Sequence, residues 1–192
     1  MQKHFKAAFA FSSLLFMSMP LISQEVTCIH PVQCQTYETS LKKEDFVSVS
    51  LTDKDNGWIM SHSGSLFRYK DGALIRDQKI GLNHASCVAV ADQNLAWAIA
   101  DFTLFRYDGT QWKKEDLGFA TSQLIKIHVV DAQHAYALGF HGTLLKYDNG
   151  VWSKIQLPEP YADQFLFNAS FIDAHTGWII AESAILKYKD GA

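Results

Sequence analysis

One motif is written four times along this chain, and it constrains the fold more than any other feature. Each copy runs from an Asp to an aromatic residue five positions on, then to a basic–Tyr pair and a Gly-containing turn. The copies are Asp53…Trp58…Arg68-Tyr69…Asp71-Gly72 and Asp92…Trp97…Arg106-Tyr107-Asp108-Gly109, then Asp131…Tyr136…Lys146-Tyr147-Asp148-Asn149-Gly150 and Asp173…Trp178…Lys187-Tyr188…Asp190-Gly191. The leading Asp recurs after 39, 39 and 42 residues. A period near 40 residues, built of short strands and turns, is that of a β-propeller blade. The expected fold is therefore all-β: four blades of four strands each, near 46–80, 85–118, 124–158 and 167–192, standing either as a complete propeller or as part of a larger one.

Within each copy the segments are five or six residues long and rich in β-branched and aromatic types, which suits strands. The third segments show how the faces are used. Leu66, Leu104, Leu144 and Ile185 are each followed by Phe67, Phe105, Leu145 or Leu186. Adjacent strand residues point to opposite faces, so both faces are apolar. That pattern fits a sheet sandwiched between two others. The basic residue that follows is read as a side chain snorkelling at a blade edge.

The repeated polar residues are read as scaffolding. Asp53, Asp92, Asp131 and Asp173 sit where a carboxylate accepts backbone N–H bonds and fixes a turn, and the Asp-Gly pairs supply the positive φ of tight hairpins. The aromatics Trp58, Trp97, Tyr136 and Trp178, with Tyr69, Tyr107, Tyr147 and Tyr188, are read as packing between blades. The fourth copy has no fourth strand before the last residue. The stretch from Gln35 to Leu41, around Tyr37, is expected to supply it and to close the last blade.

The first residues follow a different logic. Lys3 and Lys6 precede an apolar run from Ala7 to Met17 and a small, polar stretch around Pro20. This is the pattern of a signal peptide over residues 1–23, and it predicts a secreted or periplasmic protein with no transmembrane segment after cleavage. Removing those residues leaves 15 basic against 20 acidic side chains, a net charge of −5. A mildly acidic chain without a basic stripe is not a nucleic-acid binder. Residues 24–45 form an N-terminal segment in which Cys28 and Cys34 are close enough to close a small disulfide loop in an oxidising compartment. Cys87, inside an apolar strand, is expected to be a buried thiol.

The stretches Gly57-Trp58-Ile59-Met60…Gly64-Ser65-Leu66-Phe67-Arg68-Tyr69 and Ala135-Tyr136-Ala137-Leu138-Gly139…Gly142-Thr143-Leu144-Leu145-Lys146-Tyr147-Asp148…Gly150-Val151-Trp152 resemble the WAVG…YDG…W repeat of secreted bacterial propellers. That repeat is related to the bacterial neuraminidase repeat and to the photosystem II assembly-factor propellers. The resemblance spans residues 46–191 and implies a fold more than an activity. Gly64 and Gly142 match the glycine before the third strand, whereas Phe102 and Ser183 replace it in the other copies, which leaves their turn geometry open.

Function is expected on the face of varied turns. His62, Asp101, Phe140 with His141, and Glu182 follow the second-strand aromatics and are expected to gather near one mouth. Two histidines and two carboxylates form a candidate divalent-metal set, against which stands their reading as solvated turn residues; the latter is adopted, with no metal and no cofactor. Phe119, Tyr161 and Phe165, in the links between blades, are expected to be exposed and to meet a protein or glycan. No nucleophile elbow, phosphate loop or HExxH is present. The expectation is a non-catalytic secreted module binding a protein or carbohydrate partner. The alternatives are a sialidase-like glycoside hydrolase, against which the presence of only Arg68, Arg76 and Arg106 counts, and an assembly or adhesion factor of a larger secreted complex.

Overall fold

A computed structural model describes residues 25–29, 32–35, 44–81, 84–120 and 123–189. The chain divides into two compact units, residues 1–40 and 41–192. In the first, β1 (Glu25–Ile29) pairs antiparallel with β2 (Val32–Gln35), Val26 opposite Cys34, with a bulge between Thr27 and Ile29. The expected signal peptide, the strand around Tyr37 and the side chains of Cys28 and Cys34 lie outside the described residues. Among the described residues no helix is long and apolar enough to cross a membrane.

The second unit is a row of four antiparallel meanders. The first blade is β3 (Phe46–Leu51), β4 (Asn56–Ser61), β5 (Ser65–Lys70) and β6 (Ala73–Lys79). The second is β7 (Cys87–Asp92), β8 (Leu95–Ala100), β9 (Thr103–Tyr107) and β10 (Trp112–Lys114). The third is β11 (Leu124–Val129), β12 (His134–Gly139), β13 (Leu144–Asp148) and β14 (Val151–Ile155). The fourth has three strands among the described residues, β15 (Leu166–Phe171), β16 (Thr176–Ala181) and β17 (Ile185–Lys189). This is the all-β propeller architecture that the repeat predicts.

The turns form as their residues require. The carboxylate of each leading Asp accepts the N–H two residues on: Asp55 to Asp53 at 2.8 Å, and Asn94, Gln133 and His175 to Asp92, Asp131 and Asp173 at 2.7 Å. The Asp55 amide and the Asn56 side chain hold the Asp53 carboxyl below the usual carboxylate range. At the other hairpin, Asp71 and Gly72 take φ of 50° and 79° between the paired residues Lys70 and Ala73. That is the double left-handed turn whose twist matches two strands.

Successive blades are glued by the repeated aromatics. Trp58 sets its edge against Tyr107 and Trp112 of the second blade, at centroid distances of 4.9 and 5.1 Å. Trp97 does the same against Tyr147 and Trp152, at 4.9 and 6.0 Å. Tyr136 reaches Tyr188 at 5.4 Å, stacks on Phe171 at 3.5 Å, and donates its hydroxyl to the Ala174 carbonyl at 2.7 Å. Edge-to-face geometry of this kind adds roughly 0.5–1.5 kcal/mol per pair beyond burial. The basic slot is part of this seam. Arg68 lies over Trp58 and Tyr107 and donates to the Tyr107 hydroxyl at 3.3 Å. Its charge rests on the aromatic faces of two blades rather than at a free blade edge.

The first strands of adjacent blades are also stitched by side chain to backbone. Val88 N–H donates to Ser48 Oγ at 3.0 Å, and Val90 N–H to Ser50 Oγ at 3.1 Å. His128 holds the same slot in the third blade as Ser50 in the first, and its Nε2 lies 3.2 Å from Phe171 N. Burial disfavours a charge on this ring and holds its pKa below the usual imidazole value, with the Phe171 backbone opposing that shift and Lys126 adding to it. A group whose folded pKa is depressed binds fewer protons folded than unfolded, so stability falls as pH drops below the unfolded value near 6.5. His128→Ser keeps an acceptor and removes the titration. Urea unfolding at pH 7.5 and 5.5 is expected to show a loss of stability on acidification that is smaller in this variant than in the parent.

Candidate functional site: an aromatic track and a cleft on the variable face

The turns between second and third strands, and the links between blades, emerge on the face opposite the repeated Asp turns. They carry a continuous run of rings. His62 faces His84 at 6.2 Å, His84 stacks on Phe102 at 5.7 Å, and Phe102 meets Phe140 edge-on at 6.3 Å. Phe140 stacks on Phe165 at 4.3 Å, and Phe165 meets Phe167 at 4.2 Å. The track touches all four blades. His62 and His84 are exposed, Phe102, Phe140 and Phe165 half-buried, and Phe167 exposed.

Backbone geometry places two of these rings. Asp101 and Phe102 join the paired residues Ala100 and Thr103 with φ of 47° and 59°. The replacement of glycine by Phe102 therefore leaves the left-handed turn intact, at a cost of roughly 1–2 kcal/mol for a side chain in that region. The matching pair in the third blade is His141 and Gly142, with φ of 51° and 59°. The fourth blade solves the turn differently: Ser183 has no positive φ, and Gln164 takes its N–H at 3.1 Å and its hydroxyl at 3.0 Å.

Beside the track lies a cleft of about 490 Å³, open to solvent. Phe102 and Asp101 form one wall, Lys114, Glu115 and Asp116 the end of the second blade, and Phe119 the link beyond it. Burial raises the Glu115 carboxyl above its ordinary pKa, with Arg106 opposing. A carboxyl raised by folding destabilises the fold above its unfolded pKa near 4.5, and that penalty vanishes below it. Glu115→Gln is expected to stabilise the chain at pH 7, with the gain shrinking as the pH falls through the raised folded pKa towards 4.5 and gone below it. Thermal melts at pH 7 and pH 4 provide the check.

The sequence-derived candidates separate into distinct places. His62, Asp101, His141 and Glu182 occupy the second-to-third turns of four different blades. Among the described residues no three His, Cys, Asp or Glu side chains form a set able to hold a metal ion. His141 is engaged instead with Asp163, Nδ1 to Oδ1 at 2.8 Å, both exposed. Phe119 is exposed as expected. Tyr161 and Phe165 are half-buried rather than exposed. Phe165 stacks on Phe140, and Tyr161 lines an apolar cavity of about 250 Å³ with Leu157 and Ile179 between the third and fourth blades. Sequence reasoning did not select His84 or Phe102 as ligand residues, and named Phe140 only among the turn residues near one mouth. Their signal was an aromatic at a hairpin tip or blade link, where polar residues are usual.

No family model and no curated protein matches the sequence. Solved structures do match the fold. YCF48 from Cyanidioschyzon merolae is 14% identical with a TM-score of 0.56, over 75% of this chain and 50% of that one. The extracellular domain of the putative one component system BT4673 from B. thetaiotaomicron is 16% identical with a TM-score of 0.61, over 82% and 22%. The computationally designed Ika4 protein is 14% identical with a TM-score of 0.61, over 77% and 92%. The chain thus spans half of the YCF48 structure and about a fifth of the BT4673 domain. At these identities the likeness is one of fold: four blades of the propeller type.

Proposed function

We propose that this chain is a non-catalytic, exported binding module that takes a protein or carbohydrate partner across its variable face, an extended peptide segment fitting best. The observation that carries the reading is the aromatic track from His62 to Phe167 beside the Phe102–Phe119 cleft. Stacked rings offer apolar contact at low entropic cost, and Lys114, Glu115 and Asp116 offer both charge signs to a polar backbone. Support also comes from Phe102, which holds a strained turn with a bulky side chain; such strain collects at functional sites. Export to the periplasm or the medium rests on Lys3, Lys6 and the apolar run behind them.

The hydrolase alternative finds less support. A sialidase-like site grips a carboxylate with several arginines, yet Arg76 is paired with Glu44 and Arg68 spans the first seam. Screening the purified chain against peptide and glycan arrays tests the proposal. Phe102→Gly and Phe119→Ser are expected to weaken the captured ligand roughly tenfold or more while leaving the circular dichroism unchanged. Turnover of a fluorogenic sialoside that disappears in Arg76→Ala would replace the binding reading with the enzymatic one.

A further inference from the structure

The last strands of the first and second blades treat one position in two ways. Tyr69 pairs with Leu74 and Tyr107 with Trp112, so Asp77 and Glu115 hold the same place, as do Gln78 and Asp116. Gln78 reaches across to the next blade. Its Nε2 donates to the Trp112 carbonyl at 3.1 Å, and its Oε1 accepts the Trp112 N–H at 3.2 Å. Asp116 turns back to its own link instead, where its Oδ1 accepts the Gly118 N–H at 3.0 Å. The cleft of about 490 Å³ opens beside it, a volume in the range of ligand sites.

Glu115 lines this cleft as an under-compensated anion. It is half-buried, and the Arg106 guanidinium offsets only part of what burial costs its charge. From the third blade, Trp152 turns its indole N–H toward the same carboxyl. That residue is 6% exposed, and its Nε1 is buried without closing a hydrogen bond. Among the described residues no ion pair reaches Glu115. A buried carboxylate short of partners works against the fold, and charges retained in such a place collect at functional sites. The described lining sets the carboxylates of Asp101, Glu115 and Asp116 against the ammonium of Lys114. These groups do not form a set able to hold a metal ion, so the complementary ligand is an organic cation. Phe102 and Phe119 offer ring surface to its carbon chain.

We infer that the cleft receives the lysine or arginine side chain of a peptide partner, with Glu115 as its counter-ion and Phe102 and Phe119 against its stem. The inference rests on the binding reading above and gives it a chemistry. A guanidinium or ammonium brings both the donors and the positive charge that the carboxylate lacks. A sugar hydroxyl brings the donors alone.

An NMR titration of the purified full chain tests this, with N-acetyl-arginine amide, N-acetyl-lysine amide, the neutral N-acetyl-norleucine amide and chitotriose as probes. Ligands of this size bind at about 1 mM. The two basic probes are expected to shift the amides of residues 114–119 saturably, and norleucine amide to bind at least roughly tenfold more weakly. Glu115→Gln is expected to weaken both basic probes by roughly tenfold or more while raising the melting temperature at pH 7, so that lost binding is not lost folding. Glu182→Gln, in the matching turn of the fourth blade, leaves binding unchanged. Equal affinity for arginine and norleucine amides, unchanged affinity in Glu115→Gln, or no shift with either basic probe at about 20 mM overturns the inference and leaves the binding reading standing. Shifts of the same amides by chitotriose alone also overturn it and make the cleft a sugar site. Silence of every probe together with blank peptide and glycan arrays would overturn the binding reading itself.

Discussion

Trp97→Ala is expected to lower the free energy of unfolding by about 3–5 kcal/mol, the range for deleting a large aromatic from a packed core. The ring is fully buried in the seam between the second and third blades. Its edge is held by Tyr147 and Trp152, and Ile99, Leu145 and Ile127 belong to the same cluster. The neighbours that would have to collapse into the space are themselves strand residues fixed by ladders on both sides, so little relaxation is available. Domains are stable by only about 5–15 kcal/mol, so this one truncation removes a large share. Urea unfolding followed by far-ultraviolet dichroism measures it. Trp178→Ala is the control: same slot, but exposed, so it is expected to cost under about 1 kcal/mol. Equal losses at the two positions would mean that the seam is not what holds the blades together.

Gly142→Ala should be nearly as damaging, by roughly 2–5 kcal/mol, summing a left-handed backbone cost with overpacking. Gly142 has φ of 59° and donates its N–H to the Gln164 carbonyl at 2.7 Å. A Cβ there would run into the Ala162 carbonyl, which belongs to the link between the third and fourth blades. The link must therefore move, and Phe165 with it, so the aromatic track should be disturbed as well as the fold. Gly150→Ala separates the two costs. Gly150 has φ of 97° with nothing near its virtual Cβ, so only the backbone term of about 1–2 kcal/mol applies. Midpoints of urea unfolding for both variants, read beside ligand binding, give the comparison; a Gly142 variant no worse than the Gly150 one would remove the steric argument.

The contrast between these glycines shows what a repeat makes readable. Local chemistry is carried by the chain itself. Asp53 and its copies accept N–H groups two residues ahead, and Asp71-Gly72 takes the positive φ of a tight hairpin, so both were visible as patterns. The alternation of Leu66 and Phe67 announced two covered faces for the same reason. The aromatic track was less visible. His84 and Phe102 are 18 residues apart and meet at 5.7 Å through the β7–β8 pairing, but only the stacking of one blade on the next brings Phe102 to within 6.3 Å of Phe140. His62, Asp101, His141 and Glu182 stand at equal sequence offsets, which places them in the same turn of four separate blades.

Strand, turn and blade were legible in the chain alone, because they depend on contacts within about 40 residues and on side-chain alternation every second position. Which copies are buried emerges only from the packing of one sheet on the next. Trp58, Trp97 and Trp178 are written identically, yet two are sealed in seams and the third is open to solvent. Burial belongs to the neighbouring sheet rather than to the residue, and only the packed row reveals that the fourth blade has no such neighbour among the described residues.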